Sequence, residues 1–482
     1  MDDYRTKRKY RQRKLNRQGY YELRRQKRRA KRNAVQNGLS GAIPQIEQIF
    51  DPENLIRVFD GLQHHAGNAP GPDGIRYNQL GRREVGNVIR SLSAEILNGT
   101  YYPSKARHVR IPKANGRGYR TLSLRSILYR VVSKALADAR GPYFDRMFQS
   151  GSHGFRPNRG VSSMLLDMER IIVEQQRYVI AQDDIANAFD HVPIGYAIRL
   201  YGQYIDDAGL LRVIEKVLQG HNSENRTVGI DQGSALSPLT LNVVLHHALD
   251  KPFSENAANP PWLRYADNLV YLSQSVYEGQ AAIQVAQNLL QPIGMTLKGT
   301  DGPPAALRRG DQVDILGLSV GWADGRVQYD LAEGAWINLE RKLAQTYMTN
   351  HTPKAAYQAI KGWMESCGPA FEGKSEDSVL NRILEIAAIV GQREVSHKLL
   401  QQYLQSTQAK WAHRRGRRSA YKAYRVTRDR ERAVAPLTTD RPGMSSCPRP
   451  EPSQAQSAAV PALFARETST AGRSVPAMGS HL

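Results

Sequence analysis

Three short segments constrain this chain more than anything else in it: Asp183-Asp184-Ile185-Ala186-Asn187-Ala188-Phe189-Asp190, Gln232-Gly233-Ser234-Ala235-Leu236-Ser237-Pro238 and Arg264-Tyr265-Ala266-Asp267-Asn268-Leu269-Val270. The first follows Arg177-Tyr178-Val179-Ile180-Ala181, an apolar run that reads as a buried strand and places Asp184 at its carboxyl end. The third reads as a hairpin, with strands Trp262 to Ala266 and Leu269 to Leu272 flanking Asp267-Asn268 at the tip. Folding can bring two such strand ends to one point and leave two carboxylates facing solvent.

Each segment alone has a bland explanation. An Asp that closes a strand is usually a cap or turn residue, and Asp-Asn is an ordinary hairpin turn. Ser237 and Pro238 suit the N-cap and first turn of a helix running through Leu249. Together the segments say more. Two carboxylates make a site for divalent metal, and magnesium ions held there suit nucleotidyl transfer, activating a primer hydroxyl and neutralising charge on the leaving pyrophosphate. The small residues of Gln232-Gly233-Ser234 leave room to seat a base pair beside them. The chain therefore reads as a template-copying polymerase.

Upstream, Ala69-Pro70-Gly71-Pro72-Asp73-Gly74 is turn chemistry, and Asp51-Pro52 opens a helix with Leu55, Ile56 and Phe59 on one face. The strand His108 to Pro112 leads into Lys113-Ala114-Asn115-Gly116, a hairpin in which Lys113 and Arg120 can reach one triphosphate. Ile127, Val131, Ala135 and Leu136 recur at helical spacing. So do Trp336, Leu339, Leu343 and Tyr347, and Val379, Ile383 and Ile386, marking residues 334 to 411 as a small helical domain.

The net charge of +22 over 482 residues is concentrated at the ends and points to polyanionic partners, nucleic acid ahead of a membrane surface. Residues 1 to about 35 interleave Lys and Arg with Tyr4, Tyr10, Tyr20 and Tyr21, a solvated tail or an arm that grips nucleic acid. Past residue 412 a basic run, Arg414-Arg415-Gly416-Arg417-Arg418, gives way to a Pro, Ser and Ala-rich stretch expected to be disordered. Two cysteines, Cys367 and Cys447, allow neither a disulfide framework nor a cysteine-ligated zinc module. No apolar run is long enough to span a bilayer, and the N-terminus lacks a secretion signal, so a cytoplasmic protein is expected.

In this order the segments resemble the reverse transcriptases, specifically the bacterial branch that includes group II intron-encoded proteins. The likeness runs through Gly71-Pro72-Asp73-Gly74-Ile75, Ile111-Pro112-Lys113 with Gly116 and Arg120, Ser152-His153-Gly154-Phe155-Arg156-Pro157, the three segments above and Ile315-Leu316-Gly317-Leu318. It covers most of residues 60 to 320. The resemblance implies an α+β right-hand polymerase: a basic tail over 1–35, fingers over 36–160, a palm of antiparallel sheet plus helices over 161–330, a helical thumb over 331–411 and a disordered tail over 412–482. It implies that Asp184 and Asp267, with the Ile185 carbonyl, ligate magnesium or manganese. Lys113 and Arg120 would hold the triphosphate, Gln232 and Gly233 would border the nascent pair, and Ala188 and Phe189 would lie at the sugar, Phe189 excluding a ribose 2′-hydroxyl.

The resemblance also implies RNA-directed DNA synthesis from deoxynucleoside triphosphates, on a dedicated structured RNA and with anti-phage defence among the roles open to it. The alternative is a catalytically weakened polymerase fold that binds RNA or assists splicing. Two departures bear on that choice. Asn268 stands where the family carries a second Asp, and an amide supplies no negative charge. Asp301 stands in register with the family's Lys, leaving Lys298 as the nearby cation. Gly362-Trp363 matches a thumb Gly-Trp, although a core Trp explains it equally well. No nuclease or ribonuclease H segment is evident, and the oligomeric state is left open.

Overall fold

The computed structural model describes residues 44–65, 69–112, 119–221, 226–299, 302–350 and 353–434. The basic segment over 1–35, Lys113, Asp301 and the Pro, Ser and Ala-rich stretch lie outside the described residues. The chain divides into two compact units, 1–420 and 421–482. Of the second, only the end of one helix is described, and the first holds the three sheets and the candidate site.

A hairpin of β1 (Arg107–Pro112) and β2 (Tyr119–Leu124) stands apart as a two-stranded antiparallel ribbon. The central sheet contains β3 (Val179–Asp184), β4 (Trp262–Tyr265), β5 (Asn268–Ser273) and the short β6 (Ala305–Ala306), ordered β4-β5-β3-β6 with every pairing antiparallel. A third sheet, β7 (Val313–Ile315), β8 (Leu318–Ala323) and β9 (Arg326–Leu331), follows in sequence order.

Successive side chains of a strand face opposite ways, and the central sheet uses both faces. Ala181, Leu269 and Tyr271 point into one apolar core, shared with helices Ile127–Asp145, Ile194–Gly202, Ala208–Gln219, Ser237–Leu245 and Val276–Leu290. Ile180, Leu263, Val270 and Leu272 point into the other, built with helix Val161–Glu174, the third sheet and the C-terminal helices. A sheet covered on both faces has no solvated side to alternate with, which is why β3 and β5 read as continuous apolar runs. The helix Val276–Leu290 comes close enough that a side chain at Gly279 would meet Ala181 Cβ at 3.0 Å.

Helix starts follow local chemistry. The Asp51 carboxylate accepts the N–H groups of Glu53 at 2.9 Å and Asn54 at 3.1 Å, capping Pro52–His65 as its sequence predicts. Ser237 departs from expectation: Leu236 holds the cap position, and the Ser237 hydroxyl is buried with no hydrogen-bond partner. Nor does that helix run straight through Leu249. It stops at Leu245 and continues as a π turn, His246–Asp250, with consequences for the site.

Beyond β9 come helices Glu333–Asn350, Pro353–Ser366, Glu376–Ile389 and His397–Val434. They do not form a self-contained domain, because Leu339, Leu343, Trp363, Leu380 and Ile383 belong to the same core as Ile180 and Val270 of the central sheet. The boundary expected at residue 411 falls inside a helix that carries the basic run on to Val434. Trp363 is buried and donates its indole N–H to the Ala335 carbonyl at 2.9 Å, the contact of a core anchor.

Candidate active site

The strand β3 ends where its apolar register ends. Its last two residues are acidic and diverge: Asp183 turns inward, 4% exposed, and Asp184 turns outward. Asp183 accepts N–H groups from Asp184 at 2.7 Å and Gly299 at 3.1 Å, so it ties the strand end to the segment after Met295. Burial pushes its carboxyl above the ordinary range despite those bonds. That leaves Asp184 as the acid of the pair that faces solvent.

Across the sheet, Asp184 pairs with Asn268, and the next residue, Ile185, donates its N–H to the Asp267 carbonyl at 2.9 Å. The two acidic positions named from sequence, with Ile185 and Asn268, thus meet at one end of one sheet. The hairpin tip is one residue earlier than expected: Ala266 and Asp267 form the turn, and Asn268 opens β5. Ala266 has φ +59°, a left-handed conformation that favours glycine.

The cause lies in Arg264, a fully buried cation inside β4. Its guanidinium pairs with Asp250, with Nε to Oδ1 at 2.8 Å, and also donates to the Asn242 side chain at 3.0 Å, the Ser152 hydroxyl at 3.0 Å and the Ala266 carbonyl at 2.9 Å. That last bond holds the turn. The π turn presents Asp250 to Arg264, and Gly154 packs so closely that a Cβ there would lie 2.3 Å from the Ala266 nitrogen. Ser152-His153-Gly154 is therefore a bracket for the Asp267 hairpin.

The two carboxylates differ electrically. Asp184 forms an ion pair with Lys298, the cation that follows β5 and its helix, and both side chains are partly exposed. Asp267 is half-buried; burial pushes its carboxyl above the ordinary range and the Asp184 charge pushes it further, while a hydrogen bond from its own main chain, Lys298 and Arg264 only partly offset them. The Asn268 amide lies 3.4 Å from Asp267 Oδ1, a long donor contact that a carboxylate could not make.

Ala188 and Phe189 follow in a short 3-10 turn, Ala188–His191. Ala188 is buried; Phe189 is half-buried and meets the edge of Phe155, with ring centroids 6.2 Å apart. The Phe189 carbonyl accepts the Ile230 N–H at 2.8 Å, which fixes the turn against the loop carrying Gln232. In that loop the Gln232 carbonyl accepts the Ser123 N–H of β2 at 2.9 Å, and its amide lies 3.5 Å from Asp190 Oδ1. Gly233 has φ +117°, a backbone conformation that favours glycine, and a Cβ there would crowd the Leu122 side chain at 3.0 Å.

Beneath the loop, Asp231 pairs with Arg125 at 2.7 Å and Arg226 at 2.8 Å. Burial works against its charge, yet the two guanidinium groups prevail and hold the carboxyl below its usual range. Arg120 pairs with Ile111 in the β1–β2 ribbon, which carries it toward the hairpin tip; its side chain and Lys113 are outside the described residues. Arg264, Asp250, Asp183 and Asn242 were not singled out from sequence. Arg264 alone left a signal, an Arg on an apolar strand at the inward register of its neighbours.

Among the described residues, no three His, Cys, Asp or Glu side chains cluster tightly enough to hold a metal by themselves. The donors on offer are two carboxylates and a main-chain carbonyl. These are hard oxygens of the kind magnesium takes when substrate phosphates and water complete its shell. The mutual repulsion of Asp184 and Asp267 makes a shared cation favourable, so the residues fit a divalent ion.

Residues 111–300 match the family model described as reverse transcriptase (RNA-dependent DNA polymerase). This is a reverse transcriptase domain. Over 194 residues, 38% of the chain and 50% of the relative, it is 29% identical to Protein YkfC of Escherichia coli (strain K12). It is 30% identical over 168 residues to the Group II intron-encoded protein LtrA of Lactococcus lactis subsp. cremoris, covering 34% of this chain and 28% of LtrA. It is 27% identical over 212 residues to the Putative COX1/OXI3 intron 2 protein of Saccharomyces cerevisiae, covering 43% of this chain and 23% of that protein. The chain spans half or less of each of these relatives. The matched residues enclose both acidic strand ends, the Gln232 loop and the Arg264 bracket. No helix among the described residues is long and apolar enough to cross a membrane.

Proposed function

We propose that the chain is an RNA-directed DNA polymerase. It extends a primer by forming a bond from the primer hydroxyl to the α-phosphorus of a deoxynucleoside triphosphate as the bond to pyrophosphate breaks. The observation that carries this reading is the convergence of Asp184 and Asp267 at one sheet end, with Ile185 hydrogen-bonded to Asp267 at 2.9 Å. In this reading Asp184, Asp267 and the Ile185 carbonyl hold magnesium, with manganese as a substitute. A bound divalent ion there supplies activation of the hydroxyl and neutralisation of the phosphate charge.

The remaining roles belong to the protein. Lys113 and Arg120 hold the triphosphate from the fingers hairpin, and Gln232 and Gly233 border the nascent pair. Phe189 lies under the sugar beside Ala188, where a steric clash rejects a 2′-hydroxyl more sharply than an apolar pocket does. The excess of Lys and Arg favours a nucleic-acid template, and a dedicated structured RNA belongs to this proposal. So does a defence role, which phage plating on cells with wild type or Asp184→Ala would test.

Primer extension on an RNA template, with deoxynucleotides and magnesium or manganese, tests the activity against Asp184→Ala. Synthesis by wild type alone supports it. A second reading, an RNA-binding or splicing-assisting module, is favoured by the amide at Asn268 and by Lys298 resting on Asp184. Wild type no better than Asp184→Ala, with RNA binding intact, would select that reading. Phe189→Ala should admit ribonucleotides; unchanged rejection would remove Phe189 from the gate.

A further inference from the structure

Phe155 combines three features that ordinary loop residues do not share. Its φ is +58°, a left-handed conformation that costs a bulky residue of this type energy. The residue is 53% exposed, so burial does not repay that cost. Its ring edge faces Phe189, with centroids 6.2 Å apart and planes at 77°.

Both neighbours of Phe155 are held rigidly. On one side, Gly154 lies against the backbone of Ala266, and its carbonyl accepts the Asn242 amide at 2.9 Å. On the other, the buried Arg156 donates to the Asp145 carboxylate at 2.7 Å, the Asp145 carbonyl at 2.7 Å and the carbonyls of Gln149 at 2.8 Å and Ser152 at 3.0 Å. The clamp over-determines the backbone between them, which is how a strained conformation persists. One end of that clamp is the turn that carries Asp267.

We propose that Phe155 is a specificity-determining positioning residue: its ring fixes the Phe189 ring and so sets how firmly the site rejects a ribose. The inference rests on the polymerase reading and on Phe189 as the gate, and it adds a second ring that couples the gate to the Asp267 hairpin. An edge-to-face pair prefers a defined geometry, so removing one ring leaves the other free to tilt away from a 2′-hydroxyl. Because Phe155 supports the gate from outside the acidic cluster, its loss should act on sugar choice and leave deoxynucleotide turnover nearly intact.

The test compares kcat and KM for a deoxynucleotide and the matching ribonucleotide in wild type, Phe155→Asn, Phe155→Tyr and Phe189→Ala. Asn tolerates a left-handed backbone, so that variant removes the ring without adding strain. Thermal melting of each variant checks that the clamp still folds. The expected result is a discrimination ratio about tenfold lower in Phe155→Asn, through ribonucleotide KM, with deoxynucleotide kcat within about twofold and the ratio restored in Phe155→Tyr. An unchanged ratio in Phe155→Asn alongside a lowered ratio in Phe189→Ala would overturn this inference alone. An unchanged ratio in both would overturn the gate itself, and equal losses of kcat for both sugars would make Phe155 a purely structural residue.

Discussion

The two acidic ends of the central sheet are built on opposite principles. Asp184, at the end of β3, is partly exposed and already faces a cation, Lys298. Asp267, at the tip of β4–β5, is half-buried, its ionisation opposed by burial and by Asp184, and its scaffold is the fully buried Arg264–Asp250 pair. On the β3 side the protein supplies the counter-charge. On the hairpin side it supplies rigidity and only partly offsets the charge, which in the polymerase reading suits a site that takes up an external cation.

The sharpest way to break this contrast is to remove each carboxylate. Loss of a metal ligand forfeits several kcal/mol of transition-state stabilisation. Asp184→Ala and Asp267→Ala should therefore each lower primer extension by about a thousand-fold. A variant that folds, as judged by circular dichroism, and still extends primers at near wild-type rate would separate that residue from the chemistry.

The scaffolds should differ next. Arg264→Ala leaves Asp250 buried and unpaired, and breaking such a pair costs about 3–5 kcal/mol, readable in urea unfolding. Lys298→Ala opens an exposed pair worth about 1 kcal/mol or less. Equal destabilisation by the two would erase the asymmetry. For function the order changes: Lys298→Ala should lower the magnesium concentration giving half-maximal binding, measured by titration without substrate, by a few-fold, because the competing ammonium is gone.

The acid of Asp267 gives a pH test. Its folded carboxyl lies above its unfolded value, so ionisation costs stability: the penalty is absent well below the unfolded range and grows as pH rises through the folded value. In metal-free buffer, Asp267→Asn should melt above wild type at neutral pH, with the gap closing on acidification toward about pH 4. A gap independent of pH would show that burial of Asp267 is not under strain. The smallest effect is expected from Asn268→Asp, which replaces a 3.4 Å donor contact to Asp267 by a third negative charge. Magnesium-supported synthesis should rise by a few-fold if the amide limits metal binding; no change would mark the amide as accommodated.

These contrasts were only half legible in the chain. The strand ends were readable because Val179-Ile180-Ala181 and Leu269 through Leu272 are apolar and the acids interrupt them. The turn was misread by one residue, since Ala266 has no turn preference of its own. The Arg264 guanidinium, two residues before Ala266 and held in place by Asp250, Asn242 and Ser152, and a glycine 112 residues upstream put it there. Likewise the helical faces at Leu339 and Ile383 announced burial but not their partner, because periodicity reports that a face is covered and not what covers it. Asp184 was singled out of the Asp183-Asp184 doublet as the acid that closes the strand, and the pleat turns it outward while Asp183 turns inward, a structural role for Asp183 that the sequence did not announce.

The central sheet is a party wall. Alternate residues of β3 and β5 complete the core of the N-terminal helices and the core of the C-terminal helices, so neither half owns the surface on which it rests. Loosening the C-terminal helices strips Ile180, Val270 and Leu272 of their cover, and the strands that aim both acids lose one side of their support. Heat should accordingly dismantle residues 44–411 in a single cooperative event, with no surviving half that keeps its acids aligned.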